Sequence, residues 1–287
     1  MKKLVIFGVG LIGGSVALAL KKAGIDTHIV GVGRQADSLQ SALDLGVIDE
    51  ASSNVADAVQ NADLILIAAP VAQTAAILQS IKPHLGNNTV ITDAGSTKGD
   101  VLTSASNILG DQLSQFIGGH PIAGAEKSGV TAAMADLYIN KNVVITPTAH
   151  TATHAIQSAK TLWETCGAKV SEMSAETHDS IFASVSHLPH LLAFALVDDI
   201  AARPNAAQLF SFAASGFRDF TRIAGSSPEM WRDISMANKT ALLGELNAYE
   251  AELNKLKNLL KMNDGTGLQA LFERASHARN AWAHGKK

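Results

Sequence analysis

Residues 3–15 read KLVIFGVGLIGGS: an apolar run from Lys3 to Phe7, then Gly8-Val9-Gly10-Leu11-Ile12-Gly13, then a segment of helical texture. In a G-x-G-x-x-G placed between a strand and a helix, each glycine has a separate task. The first permits the tight turn, the second lets backbone approach a pyrophosphate, and the third lets helix and strand pack closely. Amides of the helix N-terminus then face the phosphate charge. The stretch therefore predicts a dinucleotide held at Gly8, Gly10, Leu11, Ile12 and Gly13. Two lysines ahead of an apolar run also resemble a signal peptide, but the glycines interrupt that run, and the segment is read as a first strand.

Beyond this loop, short β-rich runs alternate with helix-length segments: THIVGV (27–32), DLILIA (63–68), TVITD (89–93), QFIGG (115–119), NVVIT (142–146) and AKVSEM (168–173). Such alternation implies βαβ units and a mostly parallel, buried sheet, closed by right-handed crossovers into a Rossmann-type doubly wound α/β fold. After Met173 the β-branched runs stop, and helical patterns cover 175–202, 205–215, 228–261 and 265–283. Two domains are expected: residues 1–173 bind the dinucleotide, and residues 174–287 form an all-helical domain. Within 228–262, Leu242, Leu246, Tyr249, Leu253, Leu256 and Leu260 recur every three or four positions, an apolar stripe suited to packing inside the domain or against a second subunit.

Composition narrows the function. The 287 residues are 47% hydrophobic and 17% charged with a formal net charge of −3, a soluble globular balance that argues against a nucleic-acid partner. Apolar runs such as LILIAAPVA (64–72) fall short of the roughly 20 residues that a membrane span needs, so no membrane segment or membrane partner is expected. The single cysteine, Cys166, cannot close an internal disulfide, which suits a cytoplasmic location.

The second strand ends in Gly33-Arg34-Gln35, where an NAD enzyme carries an acid for the adenosine ribose. Glycine removes the charge and bulk that repel a 2′-phosphate, and the Arg34 guanidinium can bind one. NADP is expected in preference to NAD, although Asp37 in the following turn leaves NAD admissible.

A nicotinamide enzyme also needs a proton acceptor beside the carbon that loses hydride, and groups that hold the substrate's charges. The candidates are Ser96 in DAGSTKG (93–99), His120 in GGHPIAGAEKSG (118–129), His187 and His190 in SHLPH (186–190), and Arg222 with Trp231 in GFRDFTRIAGSSPEMWRDI (216–234). Other roles are open to each: Ser96 can cap the helix that follows, His187 can be a core residue, and Trp231 can be plain core. His187 and His190 stand three apart, but no cysteine or nearby carboxylate completes a metal set, and no metal is expected. Gly118 and Gly119 are read as leaving room for substrate and nicotinamide.

Taken in order, GVGLIGGS, DAGSTKG, GGHPIAGAEKSG, SHLPH and FRDFTRIAGSSPEMWRDI closely resemble the prephenate dehydrogenases and their arogenate-using relatives, the cyclohexadienyl dehydrogenases of tyrosine biosynthesis, over residues 3–235. The resemblance implies oxidative decarboxylation of prephenate to 4-hydroxyphenylpyruvate, or of arogenate to tyrosine, by a homodimer. It also implies that His120 takes the ring hydroxyl proton, Ser96 contacts the same hydroxyl, Arg222 holds a carboxylate, His190 with His187 faces the side chain, Trp231 closes the pocket, and Glu126 and Asp179 gate it. Two competing readings are a β-hydroxyacid dehydrogenase of the 6-phosphogluconate type, which would need a lysine where SHLPHLLAFAL stands, and an NADP-sensing regulator without turnover.

Overall fold

The structure is a computed structural model that describes residues 1–125 and 127–284. Its strands are β1 (Lys3–Phe7), β2 (His28–Val32), β3 (Glu50–Ser52), β4 (Leu64–Ile67), β5 (Val90–Asp93), β6 (Phe116–Pro121), β7 (Asn142–Thr146) and β8 (Lys169–Glu172). They form one eight-stranded sheet in the order β3-β2-β1-β4-β5-β6-β7-β8. Strands β1 to β6 run parallel, β7 is antiparallel to β6, and β8 returns parallel to β7. This is the doubly wound arrangement expected, with a reversed pair added at one edge. The short β3 has no apolar run to announce it and lies at the other edge.

Helices α1 (Leu11–Lys22), α2 (Ala36–Asp44), α3 (Val55–Val59), α4 (Thr74–Ile81), α5 (Gly99–Leu109) and α6 (Thr153–Thr165) connect the strands. Side-chain alternation sends Leu4, Ile6, Leu64 and Leu66 to one face of the sheet, where they pack with Val16, Leu20 and Trp163 from α1 and α6. Val5, Phe7, Ile65 and Ile67 go to the other, with Leu78 and Val101 from α4 and α5. Burial on both faces explains the near-continuous apolar strands. Strand order reverses between β1 and β4, the switch point at which open α/β sheets bind ligands beyond the carboxyl ends.

The helices that follow are α7 (Ala175–Phe182), α8 (Leu188–Ala201), α9 (Ala206–Ser211), α10 (Ser215–Thr221), α11 (Pro228–Ala237), α12 (Lys239–Lys261) and α13 (Gly265–His284). A π-helical turn, Ala183–His187, joins α7 to α8 without a break. The joined run Ala175–Ala201 contains an 18-residue stretch with a mean hydropathy of 1.6, long and apolar enough by length and composition alone to cross a membrane. Polar residues interrupt its apolar runs, and four of them, His178, Asp179, His187 and His190, belong to the site described below. The helix expected over 228–261 is broken at Asn238, whose side chain is drawn into the same site.

The chain divides into compact units Met1–Lys239 and Thr240–Lys287. In the second unit Tyr249, Leu253 and Leu260 of the apolar stripe are exposed, as are Phe272 and Trp282 of α13.

Candidate active site

The dinucleotide loop lies at the carboxyl end of β1. Gly8 has φ +94°, and a Cβ there would meet the backbone oxygen of Ala68 at 2.7 Å, so both conformation and space demand glycine. A Cβ on Gly13 would meet the Gly8 oxygen at 2.4 Å, the close helix-to-strand approach anticipated from the motif. A Cβ on Gly10 would meet nothing within 4 Å, and no side chain caps α1 at this residue. The first-turn amides, including those of Leu11 and Ile12, thus face open space suited to a pyrophosphate. The Ile12 carbonyl accepts the Tyr138 hydroxyl at 2.7 Å, which fixes the start of the helix. Gly33, Arg34 and Gln35 lie exposed between β2 and α2, beside this loop in the sheet order.

His120 lies within β6, at its carboxyl end. Its Nδ1 is 2.8 Å from His178 Nε2, and His178 Nδ1 is 2.8 Å from Asp179 Oδ1. The Asp179 carboxylate accepts in turn from the backbone N–H groups of Lys98 and Gly99, both at 2.8 Å. It therefore caps α5 from another helix, the position that the sequence offered to Ser96. These donors and His178 hold the Asp179 carboxyl below the usual carboxylate range even though burial acts against them. Burial, with the charges of neighbouring His178, Lys98 and His187, keeps His120 well below the ordinary histidine value, so it is neutral at pH 7. Burial likewise lowers His178. Phe182 packs its ring on both imidazoles, with centroids 4.7 Å from His120 and 4.5 Å from His178.

Beneath His120 sits a buried ion pair. The Lys98 ammonium binds Asp93 and donates to the Gly119 carbonyl at 2.8 Å, while Asp93 accepts from the Gly119 and Gly95 N–H groups at 3.0 and 2.8 Å. A Cβ on Gly119 would meet the Asp93 oxygen at 2.6 Å, and one on Gly118 the Thr146 hydroxyl at 2.4 Å. The space they leave is filled by protein, which corrects the reading of these glycines as room for ligands. Gly124, by contrast, faces open space.

A second cluster adjoins the first. His187 is fully buried, and its Nδ1 is 3.1 Å from the Asn238 amide nitrogen, which also donates to the Asp179 carbonyl at 2.8 Å. The Ser96 backbone acts on the same ring, and burial lowers the His187 pKa to about 4. Ser96 itself is half-buried in the loop between β5 and α5. In a third group His190 stacks on Trp231, with centroids 3.5 Å apart and planes at 18°. The charge of Arg222, exposed at the turn after α10, reaches His190. Glu126 lies outside the described residues. Asp93, Lys98, His178 and Asn238 are the additions that the sequence motifs did not single out.

A doubly wound sheet with an uncapped glycine loop at its switch point and a neutral imidazole at the carboxyl end of β6, farther along the same sheet, defines a nicotinamide-dependent dehydrogenase. Residues 16–172 match the model of the prephenate dehydrogenase nucleotide-binding domain, and residues 174–274 match that of the prephenate dehydrogenase dimerization domain. The chain belongs to the prephenate dehydrogenase family. It is 39% identical to the prephenate dehydrogenase of Bacillus subtilis (strain 168), over 96% of this chain and 75% of that one. It is 34% identical to the cyclohexadienyl dehydrogenase of Zymomonas mobilis, over 98% and 96%. The crystal structure of prephenate dehydrogenase from A. aeolicus in complex with hydroxyphenyl propionate and NAD+ superposes with a TM-score of 0.91 at 38% identity, covering 97% of each chain.

Proposed function

We propose that this dehydrogenase prefers NADP and catalyses the oxidative decarboxylation of prephenate or arogenate, acting as a cytoplasmic homodimer. The observation that carries the reading is His120, a half-buried neutral imidazole at the carboxyl end of the sheet. A bound nicotinamide supplies the hydride acceptor. The open amides at Gly10 and the first turn of α1 fit the pyrophosphate of such a cofactor, and Gly33 with Arg34 fits a 2′-phosphate.

The substrate's ring carbon gives up hydride, its hydroxyl gives up a proton to His120, and the opposite ring carboxylate leaves as carbon dioxide, so that the ring becomes aromatic. The proton transfer is worth about 10²–10⁴-fold. Ser96 orients the hydroxyl, Arg222 holds a substrate carboxylate with its planar donor fork, and the stacked His190 and Trp231 line the side-chain end. Fully buried His187 serves the substrate through the Ser96 loop, whose backbone it faces. Residues 1–173 form the nucleotide domain, and residues 174–287 carry the substrate-side helices and the subunit contact, a division supported by the end of β8 at Glu172 and the meeting of the two family matches there.

Steady-state kinetics with both substrates and both cofactors, read as absorbance of reduced cofactor, test the reading. Turnover is expected with at least one substrate, and with higher kcat/KM for NADP. No reduced cofactor with either substrate overturns the enzymatic assignment, and an NAD preference overturns the cofactor assignment.

A further inference from the structure

We propose that His178 and Asp179 are positioning residues that lock His120 in its Nδ1–H form, leaving the Nε2 lone pair as the base. The inference rests on the reading of His120 as the proton acceptor and adds the origin of its orientation and proton placement.

The direction of the chain follows from what each group can donate. An ionised carboxylate only accepts. Asp179 is held ionised by the Lys98 and Gly99 amides and by the positive end of α5 that they form. His178 Nδ1, 2.8 Å from Asp179 Oδ1, must therefore carry a proton. A neutral imidazole with its proton on Nδ1 has only a lone pair on Nε2. That atom is 2.8 Å from His120 Nδ1, so His120 must donate to it, which leaves His120 Nε2 without a proton.

The surroundings keep the chain in this state. His178 is fully buried, and a second proton on it would put a cation in the interior. Phe182 packs on both rings, the Lys98 ammonium adds positive charge near them, and Asp93 binds Lys98. The opposite arrangement would set the His178 Nδ1 lone pair against an Asp179 oxygen. When the substrate hydroxyl gives its proton to His120 Nε2, the imidazolium formed keeps Nδ1–H directed at His178. Its new charge is then drawn toward Asp179 through that bond.

Long-range proton–nitrogen correlation on the full-length protein with ¹⁵N-labelled histidine reads the tautomer directly. At pH 7.5 His120 is expected to show a protonated Nδ1 and an unprotonated Nε2. The reverse pattern overturns the proposal whatever the activity. If the pattern is found in a protein that turns over neither prephenate nor arogenate, the functional reading fails while the lock stands. Among variants, His178→Gln keeps an acceptor at the Nε2 place and is expected to stay within a few-fold of the parent kcat. His178→Leu is expected to lose about 10- to 100-fold in kcat, with KM for substrate and cofactor little changed. Equal kcat in both variants overturns the proposal. Asp179→Asn removes the charge that favours His120 protonation, so the acid limb of kcat/KM is expected to move to lower pH; a loss of amplitude with an unmoved limb assigns Asp179 to capping alone and overturns its part in the lock.

Discussion

Lys98 and Asp93 form an ion pair in which the two side chains are 0% and 1% exposed, and the same ammonium holds the carbonyl of Gly119, the residue before His120. Such a pair is costly to break one-sidedly, because the remaining charge stays buried without compensation. Lys98→Met is expected to lower unfolding free energy by about 3–5 kcal/mol. Adding Asp93→Asn should recover part of that loss. Urea unfolding of the two singles and the double closes the cycle, and strictly additive losses would show that the pair is not coupled.

His120→Asn should cut kcat by about 10²-fold or more. Cofactor affinity should stay near the parent value, since the dinucleotide loop lies across the sheet from β6. Fluorescence titration of NADP beside steady-state turnover separates the two; an equal fall in both would make His120 a structural residue.

Gly33→Asp should move preference toward NAD, because a carboxylate there repels the 2′-phosphate and can accept from the ribose hydroxyls. A Cβ at Gly33 meets only Leu39 side-chain atoms at 3.5 Å or more, so the substitution fits without strain. The measurement is the ratio of kcat/KM for NADP to that for NAD. An unchanged ratio would remove Gly33 and Arg34 from cofactor selection.

His187 predicts a pH dependence of stability. Its pKa is about 4 in the folded chain against 6.5 for an unperturbed histidine. Between those values the unfolded chain binds more protons, so its contribution is fully present above pH 6.5 and is lost as pH falls toward 4. His187→Asn keeps an acceptor for Asn238 but cannot titrate. Its stability should therefore drop by up to about 3 kcal/mol less over that range. Parallel profiles in chemical denaturation would assign the acid sensitivity to other groups.

Gly119→Ala and Gly124→Ala separate packing from openness within one motif. The first drives a methyl against the Asp93 backbone, at 2.6 Å, while the second enters open space. Gly119→Ala should cost about 1–3 kcal/mol and displace His120, seen as a lower melting temperature and lower kcat. Gly124→Ala should leave the melting temperature within about a degree, consistent with a surface change within 0.5 kcal/mol.

The sheet was legible because LILI, KLVIF and their like are buried on both faces and leave an unbroken apolar mark, and the glycine loop was legible because its spacing is itself the geometry. β3 was not, since Glu50-Ala51-Ser52 is short and partly exposed. Within DAGSTKG the serine hydroxyl is the conspicuous group, while Asp93 and Lys98 resemble any solvated pair until folding buries both. His178 looked like one more polar residue in a helical stretch. Its partner His120 is 58 positions away, and the α5 amides that hold Asp179 are 80 and 81 away, distances that no local pattern reports. Asn238 falls in the same class: apolar spacing runs straight through it, and the break in the helix is tied to two acceptors from the 179–187 segment.

The π-helical turn at Ala183–His187 works as a phase shifter. In a regular α-helix each residue advances by about 100°, so His178 and His187, nine positions apart, would point to opposite sides of the rod. A π turn holds one surplus residue and takes back roughly that angle. This brings His187 round to the side on which His178 and Asp179 already work, within reach of the Asn238 amide, which touches both stretches. Deleting Val185, whose side chain is 67% exposed, would leave an unbroken α-helix with good hydrogen bonding and mistimed histidines. Helical content would survive that deletion while the angular register between the two halves of the site would not.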